Sequence, residues 1–276
     1  MRVIVTGSCG FIGEHLVKKL EQLGHTVIGV DLQEGKRVKD LNHLTDIDFI
    51  FHLAAIPRVG VSRKYPKQVL ANNVNSTLHL LELVRLNPNV RLLNISSSSA
   101  KFADTSKNPY ALSKLITEQM LWTYKSSFNL NVASVRLFNV YGPGEADSGE
   151  TTTLVKACKI AVRTGTPLKV TAKGKTSRDF THVEDVVSGL ILIMTKMFSQ
   201  NYLPLYELGT NSPVYVGDVV HQFRNLCDMK VEVKPIREGD ADTTYAHPNY
   251  MVPGWSPKHN ILDYIKSWKE AGCPDD

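Results

Sequence analysis

A chain of 276 residues, 42% hydrophobic and 21% charged, is long enough to bury a sizeable core and has the composition of an ordinary globular protein, which excludes a disordered or low-complexity class. Its formal net charge of +5 carries no long Lys/Arg run, so a nucleic-acid tract is not expected and a small anionic partner suits it better. No run of about 18 apolar residues is present, so no membrane span is expected. Arg2 leads straight into a strand and a glycine turn, so no secretory leader is expected either.

Val3-Ile4-Val5 is an apolar run of the kind that makes a buried strand. Gly7, Gly10 and Gly13 follow, and then apolar residues at Ile12, Leu16, Val17, Leu20 and Leu23 recur three and four apart, which predicts a helix with one apolar face. Strand, glycine turn and helix form the opening of a dinucleotide-binding unit. Gly7 permits the tight turn, Gly10 lets a pyrophosphate approach the backbone, and Gly13 lets helix and strand pack closely, with the helix N-terminus facing the phosphates. A second strand over Thr26–Val30 ends in Asp31, about 20 residues beyond the glycines, where an acid accepts the ribose 2′-OH. That carboxylate favours NAD over NADP, with Arg37 a nearby complication. The spacing is G-x-x-G-x-x-G, and on its own it is shared by many plain loops.

Leu32 to Asp48 is short and polar, with a brief strand predicted near Val38 and a charged turn at Asp40. Phe49 to Leu53 suits a parallel strand covered on both faces, ending at the small residues Ala54 and Ala55; His52 reads as a packed strand-end histidine. A helix is predicted over Pro66–Leu86, then a strand from Val90 to Ile95 tipped by Ser96 to Ser99. A further helix over Tyr110–Ser127 and a strand over Asn131–Leu137 complete an alternation that predicts a doubly wound parallel sheet. Beyond Val140 the pieces shorten: a helix near Thr152–Arg163, strands at Leu168–Val170, Tyr206–Leu208 and Val231–Val233, and a capping box from Thr181 to Glu184 opening an apolar helix. The expected fold is a Rossmann-type α/β domain over residues 1–138, with 181–208 returning to it. A smaller interleaved α/β substrate domain takes 139–180 and 209–276. Cys9, Cys158, Cys227 and Cys273 are too scattered for a zinc pattern and too few for a disulfide framework, so no metal and a reducing, cytoplasmic setting are expected.

Tyr110 and Lys114 are four apart on a predicted helix and share a face. A nearby ammonium favours the phenolate, and a tyrosine so tuned can take a proton from a sugar hydroxyl while hydride leaves the same carbon. A serine from the run at the preceding strand end can steady the reacting oxygen.

Several stretches, taken in order, resemble one family. They are Gly7-Ser8-Cys9-Gly10-Phe11-Ile12-Gly13, Asp31, His52-Leu53-Ala54-Ala55, Asn73-Val74-Asn75-Ser76-Thr77, Ser96-Ser97-Ser98 and Tyr110-Ala111-Leu112-Ser113-Lys114, followed by Arg136 to Gly142, Arg178 to Asp185 and Arg237 to Asp240. The family is the extended short-chain dehydrogenases/reductases, in their NAD-dependent epimerase/dehydratase branch. The resemblance implies a catalytic triad of Ser97, Tyr110 and Lys114, with Ser98 a rival for the serine role. It implies NAD held by Gly7, Gly10, Phe11, Ile12, Gly13, Asp31, Asp40, Leu41, Leu53, Ala54, Ala55, Asn73, Tyr110 and Lys114. It also implies a nucleotide-diphosphate sugar, a UDP-sugar foremost, on Ser97, Tyr110, Asn139, Arg178 and Arg237. A homodimer through the two long helices, with Leu115, Met120 and Leu121 to spare, follows the family too. The sequence departs from the family in four respects: the stretch from Asp31 to Asp40 is short, the gap from Ser97 to Tyr110 is short, the Tyr-Gly that usually follows the serines is replaced by Lys101-Phe102, and the region ending soon after Gly254-Trp255-Ser256-Pro257 is compact.

The activity expected is 4-epimerisation through a 4-keto sugar. Family dehydratases carry an Asp-Glu pair after the triad hydroxyl and decarboxylases a glutamate nearby, whereas this chain has Ser98, Ser99 and Ala100, with Asp104 the nearest carboxylate. A dehydratase, decarboxylase or reductase is the alternative within the family, and an idle NAD-sensing or scaffolding protein the alternative outside it.

Overall fold

In the computed structural model the chain enters its core at once, through β1 (Arg2–Thr6), α1 (Phe11–Gln22), β2 (Thr26–Val30) and β3 (Phe49–His52). There follow α2 (Val59–Lys64), α3 (Pro66–Leu86), β4 (Arg91–Ser97), the single turn α4 (Ser99–Phe102), α5 (Pro109–Phe128) and β5 (Val132–Leu137). Shorter pieces come next: β6 (Val140–Tyr141), α6 (Leu154–Thr164), β7 (Leu168–Thr171), β8 (Ser177–Arg178), β9 (Thr181–His182), α7 (Val183–Phe198) and β10 (Leu205–Leu208). The last are β11 (Val214–Tyr215), α8 (Val216–Leu226), β12 (Val231–Lys234), β13 (Thr243–Thr244) and α9 (Ile261–Glu270). The structure describes residues 1–43, 46–57, 59–145, 152–171, 175–235 and 241–274.

Six parallel strands form the main sheet in the order β10-β5-β4-β3-β1-β2. Successive side chains of a strand point to opposite faces, and the register turns that alternation into two cores. Val3, Val5, Phe49, Phe51, Leu93 and Ile95 meet Leu16 and Leu20 of α1 and Val186, Leu190 and Ile193 of α7 on one face. Ile4, Ile50, Leu92 and Val132 meet Leu80, Leu81 and Val84 of α3 and Leu121 of α5 on the other. A strand covered on both faces must be apolar throughout, which is why Phe49-Ile50-Phe51 does not alternate with polar residues. The sheet changes winding direction at β1, so the carboxyl ends of β1 and β3 open a crevice. A third cluster joins α6, α8, α9 and β7 through Val155, Cys158, Leu168, Val219, Phe223, Ile265 and Trp268, with Val231 of β12 packed against it.

Three expectations are corrected. No strand forms near Val38: Val38–His43 is a 3-10 helix, and Val38 and Leu41, three apart, turn together onto the second core. β2 therefore stays at the sheet edge. Thr181 is not a helix cap. It pairs with Val140 in a two-stranded ladder, and His182 caps α7 instead, its Nδ1 accepting from the Glu184 N–H at 3.3 Å. Leu121 is not spare, because it is buried in the second core. Among the described residues no helix is long and apolar enough to cross a membrane.

Candidate active site

A cleft of about 1840 Å³ runs from the glycine turn to the third cluster. At its first end Gly7 holds φ +73°, where a side chain is strained, and a Cβ there would stand 2.8 Å from the Ala54 nitrogen. A Cβ on Gly13 would stand 2.0 Å from the Gly7 carbonyl oxygen. Helix α1 is capped by Gly10 with no side-chain hydrogen bond, and Phe11, Ile12 and Gly13 of its first turn line the cleft. The chain has thus left a helix N-terminus without its own capping group, facing a space that backbone alone has cleared. These are the features that accept a pyrophosphate. Asp31 closes this end. Its carboxylate accepts from the Cys9 N–H at 3.1 Å and the Gln33 N–H at 2.9 Å, and retains acceptor capacity for a ribose hydroxyl. Leu53, Ala54 and Ala55 form the floor.

Not every residue expected on the cofactor is on the wall. Asp40 is exposed and off the cleft, and Leu41 is in the core. Asn73 is buried behind the wall: its Oδ1 accepts from the Ile56 N–H at 2.8 Å, and its Nδ2 donates to the Ile56 carbonyl at 3.2 Å and to Ser113 Oγ at 3.0 Å. It pins the loop after β3 to α5.

Ser96 to Ser99, Tyr110 and Lys114 face the middle of the cleft. Tyr110 sits in the first turn of α5, which Asn108 caps by accepting from the Ala111 N–H at 3.0 Å. Lys114, one turn on, is buried and donates to the Ile95 carbonyl at 2.8 Å. Burial pushes its ammonium down to about 8, with Glu118 pulling the other way. His52 is the packed strand-end residue expected, hydrogen-bonded to Thr6 Oγ1 at 2.8 Å and Thr77 Oγ1 at 3.1 Å. Burial, and then the Lys114 charge, hold its imidazole down to about 3, so it stays neutral. Ser97 Oγ donates to Ser99 Oγ and accepts from the Ser99 N–H, both at 3.2 Å, while Ser98 is also on the wall. Asp104 lies off the wall and is exposed; two hydrogen bonds from Ser106 hold its carboxyl below the usual range.

At the far end Asn139 and Arg178 line the cleft with Lys169, Lys234 and Thr244. Asn139 adopts φ +30°, a region asparagine tolerates, and its Nδ2 donates to the Asp179 carbonyl and Thr244 Oγ1, each at 3.2 Å. Arg178 Nη1 donates to the carbonyls of Ser177 at 2.8 Å and Asp242 at 3.1 Å. Arg237 lies outside the described residues. The neighbouring Asp179 is fully buried and accepts from the N–H groups of Thr210, Asn211 and Ala246, so it shapes the backbone of this end. Lys169 and Lys234 escaped the sequence reading, since single lysines on short strands carry no pattern. Among the described residues one group, His182, Glu184 and His259, brings possible ligand atoms within 4.8 Å of one another. Its two rings stack at 4.2 Å with planes 26° apart.

A doubly wound sheet with an uncapped helix at its crevice, and a tyrosine and lysine one helical turn apart beyond it, defines a dinucleotide-dependent enzyme class. Comparison with known proteins narrows it. The NAD dependent epimerase/dehydratase family matches residues 3–209, and the chain belongs to that family. Protein CapI of Staphylococcus aureus is 30% identical over 97% of both chains. The UDP-glucose 4-epimerase of Thermus thermophilus, solved with NAD, is 27% identical over 98% of both chains, with a TM-score of 0.84. TunA, an NAD-dependent NDP-hexosamine 5,6-dehydratase, is 26% identical over 100% of this chain and 98% of its own, with a TM-score of 0.86. The cofactor is NAD, and the glycine cradle and Asp31 fit it.

Proposed function

We propose that this protein interconverts the 4-epimers of a nucleotide-diphosphate sugar, a UDP-sugar foremost. One observation carries the choice among family chemistries: among the described residues, Asp31 is the sole carboxylate on the cleft wall, and it sits at the cofactor end. Loss of water or carbon dioxide calls for a second acid or base beside the reacting carbon, whereas epimerisation needs one group that removes a proton and returns it.

Bound NAD supplies hydride acceptance and return at the sugar C4. Tyr110 takes the proton of the 4-hydroxyl and gives it back after the keto-sugar turns over. Lys114, as the ammonium, favours the phenolate. Ser97, with Ser98 beside it, holds the reacting oxygen and steadies its charge. Asn139 and Arg178 bind the diphosphate, with Lys169 and Lys234 adding positive charge, and the resemblance adds Arg237 to them.

Product mass tests the reading. Purified protein, NAD and a panel of UDP-sugars should give products of unchanged mass that separate as epimers. A product lighter by one water overturns it in favour of the dehydratase reading, which the likeness to TunA supports.

The homodimer is part of the same proposal. Leu115, Ile116, Met120 and Tyr124 of α5 bound a shallow apolar hollow, with Trp122 exposed on the same helix. Light scattering at micromolar concentration should give twice the chain mass; a monomer refutes it.

A further inference from the structure

The turn after the serine strand is tied to β5 by the Ser98 N–H on the Leu137 carbonyl at 3.0 Å, and its Ala100 is buried. α4 is four residues long, and a single helical turn is unstable alone. A side chain adds a further anchor. Lys101 Nζ donates to both carboxylate oxygens of Glu207, each at 3.0 Å. Glu207 lies on edge strand β10 and is fully buried. Its carboxylate also accepts from Arg136 Nη1 at 3.3 Å and from the His247 N–H at 2.7 Å.

The network returns to the serines. Arg136 donates from Nε and Nη2 to the two oxygens of Glu118, at 2.9 and 2.7 Å, and Glu118 Oε1 accepts from Ser96 Oγ at 2.5 Å. Ser96 and Lys101 thus bracket Ser97, Ser98 and Ser99 as the two ends of one circuit of two cations and two carboxylates. The charges balance, so the desolvation of each is offset by its partners. Beyond the circuit the Lys101 ammonium stands 4.9 Å from the Phe102 ring centre and 5.8 Å from that of Tyr245. The Phe102 ring packs on Tyr245 at 5.5 Å and on Phe138 at 6.3 Å, and Phe102 lines the cleft.

We infer that Lys101 and Glu207 are a positioning pair: they fix the serine turn and seat Phe102 as a wall of the pocket around the reacting carbon. The inference rests on the proposed function for its catalytic consequence, but not for its structural one.

Two readouts keep these apart. Lys101→Met keeps most of the stem and removes the charge, while leaving Glu207 with Arg136 and the His247 N–H. Hydrogen–deuterium exchange of peptides spanning residues 97–103 should quicken in this variant, with the glycine-turn peptides unchanged and NAD affinity retained. Lys101→Arg should restore slow exchange. Single-turnover reduction of bound nicotinamide by a UDP-sugar, the first step of epimerisation, dehydration and decarboxylation alike, should slow by about 10²-fold in Lys101→Met, as a misplaced group near a reacting centre does. It should recover in Lys101→Arg. Unchanged exchange over 97–103 overturns the inference, and so does an equal rise over the whole chain. An unslowed reduction step overturns the catalytic part. If the wild-type product is not an epimer, the functional proposal falls while the exchange result still decides the pair. Glu207→Gln strips a buried cation pair of its counter-charge and puts the fold at risk, so Lys101→Met carries the test.

Discussion

At the glycine end of the cleft the close contacts are backbone on backbone: a Cβ at Gly13 would stand 2.0 Å from the Gly7 carbonyl oxygen, and one at Gly7 would meet the Ala54 nitrogen at 2.8 Å. At the serine end the shape is held by side chains, through Lys101, Glu207, Arg136, Glu118 and Ser96. Backbone contacts of the first kind admit no substitute side chain, and suit a partner that never varies. Contacts of the second kind can be retuned one residue at a time, and suit a partner that differs among relatives.

The comparison breaks first at Tyr110. Tyr110→Phe removes only the phenolic oxygen, so turnover should fall by roughly 10²–10⁴-fold with NAD affinity little changed. Steady-state kinetics beside calorimetric NAD titration checks both, and near-normal turnover would transfer the base role to another group.

Gly13→Ala should do the reverse. The added methyl meets the Gly7 carbonyl, which can give way only by moving the turn that faces the pyrophosphate, so NAD should bind more weakly, by roughly 10-fold or more. Turnover at saturating NAD should survive. Equal losses of both would show that the two ends are not independent.

The smallest effect is a pH limb. Lys114 titrates at about 8, below the usual lysine value. Its ammonium is present below that pH and lost as pH rises through it, so kcat/KM should decline on the alkaline side of about 8. A profile flat well beyond that point would remove Lys114 from the tuning of Tyr110.

The long elements were legible because each carries a period: Phe49-Ile50-Phe51 announces a two-faced strand, and the apolar residues of Pro66–Leu86 a helix. Misreadings came where a distant partner decides. Thr181 and Glu184 have the spacing of a capping box, but β6, some 40 residues earlier, claims Thr181 for a ladder. Asn73 belongs to a motif that binds cofactor by resemblance, yet its amide is spent on Ile56 and Ser113. Glu207 was invisible as a hub: within Leu205–Leu208 it is one acid on a short strand, and the hydrogen bonds it accepts come from residues 101, 136 and 247. Lys101 stands out in the sequence as a departure after the serines, but nothing near it in the chain names its partner.

The position of Glu207 along the chain also sets the order in which the parts of the site leave the ribosome. The glycine turn, Asp31, Tyr110 and Lys114 all emerge early, and Ser96, Glu118 and Arg136 can close their half of the circuit as soon as β5 is made. Lys101 waits for β10, and β10 waits for α7 to cross back over the sheet. The glycine turn, Asp31 and the tyrosine–lysine pair are thus synthesised before the strand that fastens the serine turn, and Lys234 and Thr244 of the far end come after it.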